Sequence, residues 1–350
     1  MSDNHLTEKD IQIVKLAGAP LLSGMGDFQR KITTSNPYAQ IYFNQGMVMA
    51  FAFNHAESVR SFKAAQTLDP ECAMCFWGES LATGPNINVT SNGKVLMSTK
   101  ARIDAFDSLS KAIELKYLAT EWEQSYIDAL AKRYSNDTTS PREPMDLAYA
   151  GAMHELVERY PEDMDAAALY AEALMNTMPW DYWAELGVAK PKTEIVILNL
   201  EKVLEKKPDH PLALHLYIHA LEASNEPGRA EKAADRLLNA VPGAGHLVHM
   251  PSHIYYRVGR YQDAVNANIR AAEVDEKYIA MCNAQGFYPA LYYPHNIHFL
   301  WAASTMQGQS ELSFISARKL VENVNVEQVK KFPTIEFFRT IPHLTMVRFG

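Results

Sequence analysis

The sequence predicts an all-α protein made of repeated helix–turn–helix units, and three observations carry that expectation. Strand signals are scarce along the 350 residues. Apolar residues recur at spacings of three and four, and the Ala-rich stretches end at Pro or Gly, as amphipathic helices do. An internal period of 34 residues is legible in the blocks 39–72, 211–244 and 245–278.

Taken in order, residues 1–37 form an N-terminal segment outside the period. The first unit, 39–72, carries Gly46, Phe62, Ala65 and Pro70. Weaker units close at Pro161 and Pro208. The unit 211–244 has Ala230 in its second helix and Pro242 at its end. The unit 245–278 follows directly with Gly259, Tyr261, Ala264 and Ala271, and another starts at Pro294 with Gly308 at its turn.

A small residue, a Phe or Tyr, an Ala and a closing Pro at these offsets resemble the tetratricopeptide repeat. The resemblance implies a right-handed superhelix and a single array over 38–350. It also implies that the first helix of each repeat lines a groove through its positions 2, 5, 9 and 12. Insertions at 82–95, 176–192 and 279–293 interrupt the period and read either as lids and binding loops or as packing filler. The final TMVRFG matches the end of a first helix, so the array is expected to be truncated within a repeat.

Composition excludes several classes. The net charge of −8 argues against nucleic acid as a partner. No run of about 18 apolar residues is present, which argues against a membrane-spanning helix. The start, MSDNHLTEKD, is polar and acidic and does not read as a secretory signal; cytoplasmic and exported locations both stay open. Three cysteines exclude a disulfide framework. Cys72 and Cys75 form a C-x-x-C followed by Phe76 and not His, which removes c-type haem. Cys282 alone cannot complete a four-cysteine zinc site. A disulfide or dithiol at Cys72 and Cys75 remains open, and two packed core thiols is the simpler reading. Phosphate loops, G-x-S-x-G and H-E-x-x-H are missing from the sequence.

The histidines stand out. Seven of twelve fall in three short segments: His215 and His219; His246, His249 and His253; His295 and His298. Spacings of three and four put each set on one helix face. With the register set from the Pro and Gly landmarks, all seven occupy the groove positions that the resemblance implies. Asp165 and Glu172 occupy such positions in the preceding repeat, and Glu222 follows His219 by three. Neutral imidazole is the commonest side-chain metal ligand, and rigid helix pairs present it well.

These residues therefore read as ligands of one or two transition-metal ions, with Glu172 or Glu222 as a further ligand or general base. Imidazole suits copper, zinc and iron; the low share of carboxylates ranks copper or zinc above iron. The expected function is a metal-dependent oxidoreductase using dioxygen on a small organic molecule, or a zinc-dependent hydrolase. The competing readings are a scaffold that binds a peptide or protein, and metal storage. His55, at the turn of the first repeat, is a further candidate, and His343 falls on a packing position. Pro251 between His249 and His253 either kinks the helix or starts it late.

Overall fold

The computed structural model describes residues 7–89, 97–284 and 286–350. Residues 90–95 of the first insertion and residue 285 of the third lie outside the described residues. Among the described residues there is no strand, only the isolated bridges Asn86–Val89 and Trp183–Ala189. None of their helices is long and apolar enough to cross a membrane.

Helix α1 (Glu8–Ala17) precedes the repeats. Four pairs follow: α2 (Pro37–Phe51) with α3 (His55–Leu68), α4 (Ala73–Thr83) with α5 (Thr99–Glu114), α6 (Glu121–Leu130) with α7 (Arg142–Arg159), and α8 (Met164–Asn176) with α9 (Pro191–Lys206). Next come α10 (Pro211–Leu221) and α11 (Glu231–Ala240). The histidine-rich repeat is α12 (Gly245–His249), α13 (Pro251–Arg257) and α14 (Tyr261–Cys282). Then α15 (Tyr293–Met306) pairs with α16 (Ser310–Asn323), and α17 (Val326–Lys331) and α18 (Ile341–Phe349) close the chain. This is a tetratricopeptide-type helical-repeat fold.

Local chemistry explains the boundaries. Asn36 accepts from Tyr38 N ahead of Pro37, Asn54 from Glu57 N, and Asp163 from Asp165 N and Ala166 N. Thr120 and Glu123 form a reciprocal capping box. In the first repeats the small residues make room for one ring. A Cβ at Gly46 would lie 2.8 Å from Phe62, and one at Gly78 only 2.3 Å away. Gly78→Ala is therefore expected to lower the melting temperature, because Phe62 is fully buried and cannot withdraw.

The chain divides into two compact units, and the division falls within the repeat 211–244. The first unit holds residues up to Asn225 except Gly24–Gly26, and the second holds those three with Glu226–Gly350. Helix α10 belongs to the first unit, where it packs on α9, α8 and α2. It is buried along its whole length, as its sequence PLALHLYIHAL requires. Helix α11 belongs to the second unit and packs on α12 and α13 through Ala233, Ala234 and Leu237. In that unit α14 packs on α12, α13 and α15, and α15 on α16.

Two expectations change. The span 279–293 is mostly helical: α14 runs on to Cys282, stops where Asn283 takes a left-handed conformation, and a π-helical turn at Tyr288–Tyr292 leads into α15. Cys72 and Cys75 are joined by a disulfide, with Cα atoms 5.4 Å apart, and are not two free core thiols. Cys72 sits at the N-cap of α4, which puts Cys75 one turn away.

Candidate metal centre

Three histidines of the second unit converge. His249 Nε2 lies 2.9 Å from His253 Nε2, and His253 Nε2 lies 3.4 Å from His295 Nε2. All three offer a ligand atom within 4.8 Å of the others. Ligands on a tetrahedral ion with metal–nitrogen bonds of about 2.0–2.1 Å sit about 3.3 Å apart, so this spacing matches the edges of a coordination shell. His249 and His253 are buried and His295 is partly so. The Phe299 ring covers all three, with centroids 4.9, 4.3 and 4.8 Å from His249, His253 and His295.

The interruption at Pro251 is part of the geometry. Proline has no N–H to donate, so α12 and α13 are separate segments joined by Met250, which keeps helical dihedrals. The four-residue spacing therefore still sets His249 edge-on to His253 across the break, with ring centroids 4.9 Å apart. Of the two alternatives for Pro251, the structure shows a helix starting there, with Pro251 in its first turn.

Outer partners set the tautomer. Asn268 Nδ2 donates to Ala264 O at 2.7 Å, which turns Asn268 Oδ1 toward His249. His249 Nδ1–H then donates to that oxygen at 2.6 Å, leaving the lone pair on Nε2. Asn268→Leu is expected to weaken metal affinity about 10–100-fold while α14 stays folded, as loss of such outer partners does. Competition with a chromogenic chelator measures it, and unchanged affinity would remove Asn268 from the site.

Asp275 links the helices that carry the three histidines. Tyr288 OH donates to Asp275 Oδ1 at 2.9 Å and Asn296 Nδ2 donates to Oδ2 at 2.7 Å. His246 N donates to Tyr288 OH at 3.1 Å. One buried carboxyl thus joins the start of α12 to α15. Burial pushes its pKa up to about 7, against the two donors, which favour the charged form.

The other predicted residues lie as follows. His246 is buried against Tyr292, 4.7 Å away, and is stacked 5.7 Å from His249. His298 is a correction: it is not grouped with His295. The three-residue step turns it into a box of Trp301, Phe337 and Phe338, and burial there lowers its pKa to about 4.

In the first unit His215 and His219 face each other, 4.8 Å between centroids. His215 Nδ1 donates to Phe51 O at 2.6 Å, and His219 Nδ1 to Glu222 Oε1 at 2.7 Å. Both rings are thereby oriented with the lone pair on Nε2. Glu222 accordingly stands behind His219. Glu172 is hydrogen-bonded by Asn176, and burial raises its pKa. His55 is bonded to Asn86 at 2.9 Å, and burial lowers its pKa to about 4.

Phe53 is a residue that the sequence reading passed over. It follows α2 with φ of 55°, a region that favours glycine, and its ring lies 4.4 Å from His215 and parallel to His219 at 6.0 Å. An aromatic residue held at positive φ beside two histidines is a signal that only the backbone reveals. Asn268 carried no sequence signal, since α14 holds no histidine; Phe299 stands four residues after His295 on α15, a spacing that could have found it.

Neither a known family nor a curated protein matches the chain. Solved structures similar to it include a human IFIT1 dimer with m7Gppp-AAAA, 16% identical, TM-score 0.48, over 90% of this chain and 66% of that one. Yeast Tom70 is 12% identical, TM-score 0.32, over 89% and 80% of the two chains. The P58(IPK) TPR domain is 13% identical, TM-score 0.26, over 89% and 77%. The chain spans just under two thirds of the first of these. The class defined by the fold and the side chains is a tetratricopeptide-type helical-repeat scaffold bearing grouped histidines.

Proposed function

We propose that this protein is a helical-repeat scaffold whose second unit binds one transition-metal ion through His249, His253 and His295. The observation that carries the reading is the convergence of three Nε2 atoms at ligand spacing, with His249 oriented from behind by Asn268. Three protein ligands leave a coordination position for water or substrate, the pattern of catalytic and not structural sites. Copper or iron would supply dioxygen chemistry there, and zinc an activated water. An all-imidazole set favours copper or zinc. The oriented pair His215 and His219 gives the first unit two more ligands of the same kind.

Elemental analysis of tag-free protein tests this. One equivalent of copper, zinc or iron per chain is expected, and copper or iron then calls for dioxygen-consumption assays. No metal as isolated and no uptake of any of the three would sink the proposal. The second reading, a scaffold for a peptide or protein, rests on the repeat fold alone and would then stand.

A further inference from the structure

The interior of the first unit holds a polar constellation that the metal reading does not use. Arg133 lies in the turn after α6, Tyr149 on α7, and Glu172 and Asn176 one helical turn apart on α8. All four are at least nine-tenths buried. Arg133 Nη2 donates to Pro85 O at 2.9 Å, and its guanidinium stacks 4.6 Å over the Tyr149 ring. Its Nη1 has no hydrogen-bond partner in the protein, and the same holds for Tyr149 OH, Glu172 Oε2 and Asn176 Oδ1. Asn176 Nδ2 donates to Glu172 Oε1 at 2.8 Å, so the unused atoms of that pair are both acceptors.

Interiors rarely leave so many polar atoms unmatched in one place. Burial raises the pKa of Glu172 and the Arg133 guanidinium opposes that rise, while Arg133 Nε also lies 3.8 Å from Asp146 Oδ1. The constellation therefore has a donor half, Arg133 and Tyr149, and an acceptor half, Glu172 and Asn176. Described residues of both inserted segments reach this region. The first supplies Pro85 O, and the second supplies buried Tyr182, whose pKa is raised by burial first and then by the charges of Glu222 and Glu172. Trp180 Nε1 donates to Asn88 Oδ1 at 3.2 Å, joining the two segments.

We propose that this constellation is a binding site for a small zwitterion of the amino-acid class. Its carboxylate meets Arg133 and Tyr149, and its ammonium meets Glu172 and Asn176. A simple anion leaves the acceptor half unmatched and a simple amine leaves the donor half unmatched, so the site discriminates by requiring both charges. The inference is independent of the metal in the second unit.

The test is titration calorimetry and thermal shift on chelator-treated protein, so that the outcome does not depend on any ion. The probes are the standard L-α-amino acids singly, with acetate and ethylamine as half-ligands. At least one amino acid is expected to bind and raise the melting temperature, and neither half-ligand is. Glu172→Gln should weaken that binding at least about tenfold, and Tyr149→Phe, which removes only a hydroxyl, several-fold. If Glu172→Gln does not fold, Tyr149→Phe decides. No binding by any amino acid, the result expected if only buried waters fill the site, overturns the proposal. So does binding of a half-ligand as tight as the zwitterion, or binding that neither substitution weakens.

Discussion

His249→Ala and His253→Ala each abolish stoichiometric metal binding while the chain keeps its helical content. Each removes one of the three proposed ligands, so the expected loss exceeds the about 10–100-fold expected for an outer partner such as Asn268. His253→Ala should have the larger effect, because His253 Nε2 contacts both other rings, at 2.9 and 3.4 Å. His298→Ala leaves the metal content unchanged, since that imidazole packs among Trp301, Phe337 and Phe338. Elemental analysis of the variants with far-ultraviolet circular dichroism reads both properties. Full metal content in both alanine variants would move the ion elsewhere in the chain.

Gly245→Ala destabilises the second unit. A Cβ there would lie 2.0 Å from Asp275 Oδ1 and 2.4 Å from its Cγ, and this carboxyl is buried and held by Tyr288 and Asn296. Overpacking at a rigid contact costs about 1–3 kcal/mol, and displacing the carboxyl from its donors adds to that. Gly228→Ala is the matched control, since its nearest neighbour would be 3.7 Å away. Thermal denaturation of metal-free protein should show a fall of several degrees for the first and little for the second. Equal melting temperatures would mean that Asp275 moves without cost.

The same carboxyl gives stability a pH dependence. Its folded pKa of about 7 lies above the ordinary 3.8. Between these values the folded chain holds a proton that the unfolded chain has released. Stability from this group is therefore full below about pH 4, falls as pH rises, and is lost above about pH 7. Asp275→Asn should flatten that slope in denaturant midpoints measured from pH 4 to 7. An unchanged slope would show that Asp275 is not its source.

The sequence by itself determined the helical repeats and most of their registers, because Pro and Gly act locally: Pro211 and Gly245 each start a helix where the 34-residue period places one, and Pro37 starts α2 two residues ahead of the first unit. It also determined that His249 and His253 share a face, since a four-residue step is a property of one helix. Which further histidine joins them was decided only by tertiary packing. His295 and His298 looked equivalent by spacing, yet the way α15 packs on α14 and α12 turns one to the trio and the other into an aromatic box. The boundary between the units, inside a repeat that reads as continuous, depends on which neighbours bury α10 and α11. The acceptors behind the site, Asn268 and Asp275, are long-range partners with no periodic relation to the groups they orient, so only the folded chain reveals them.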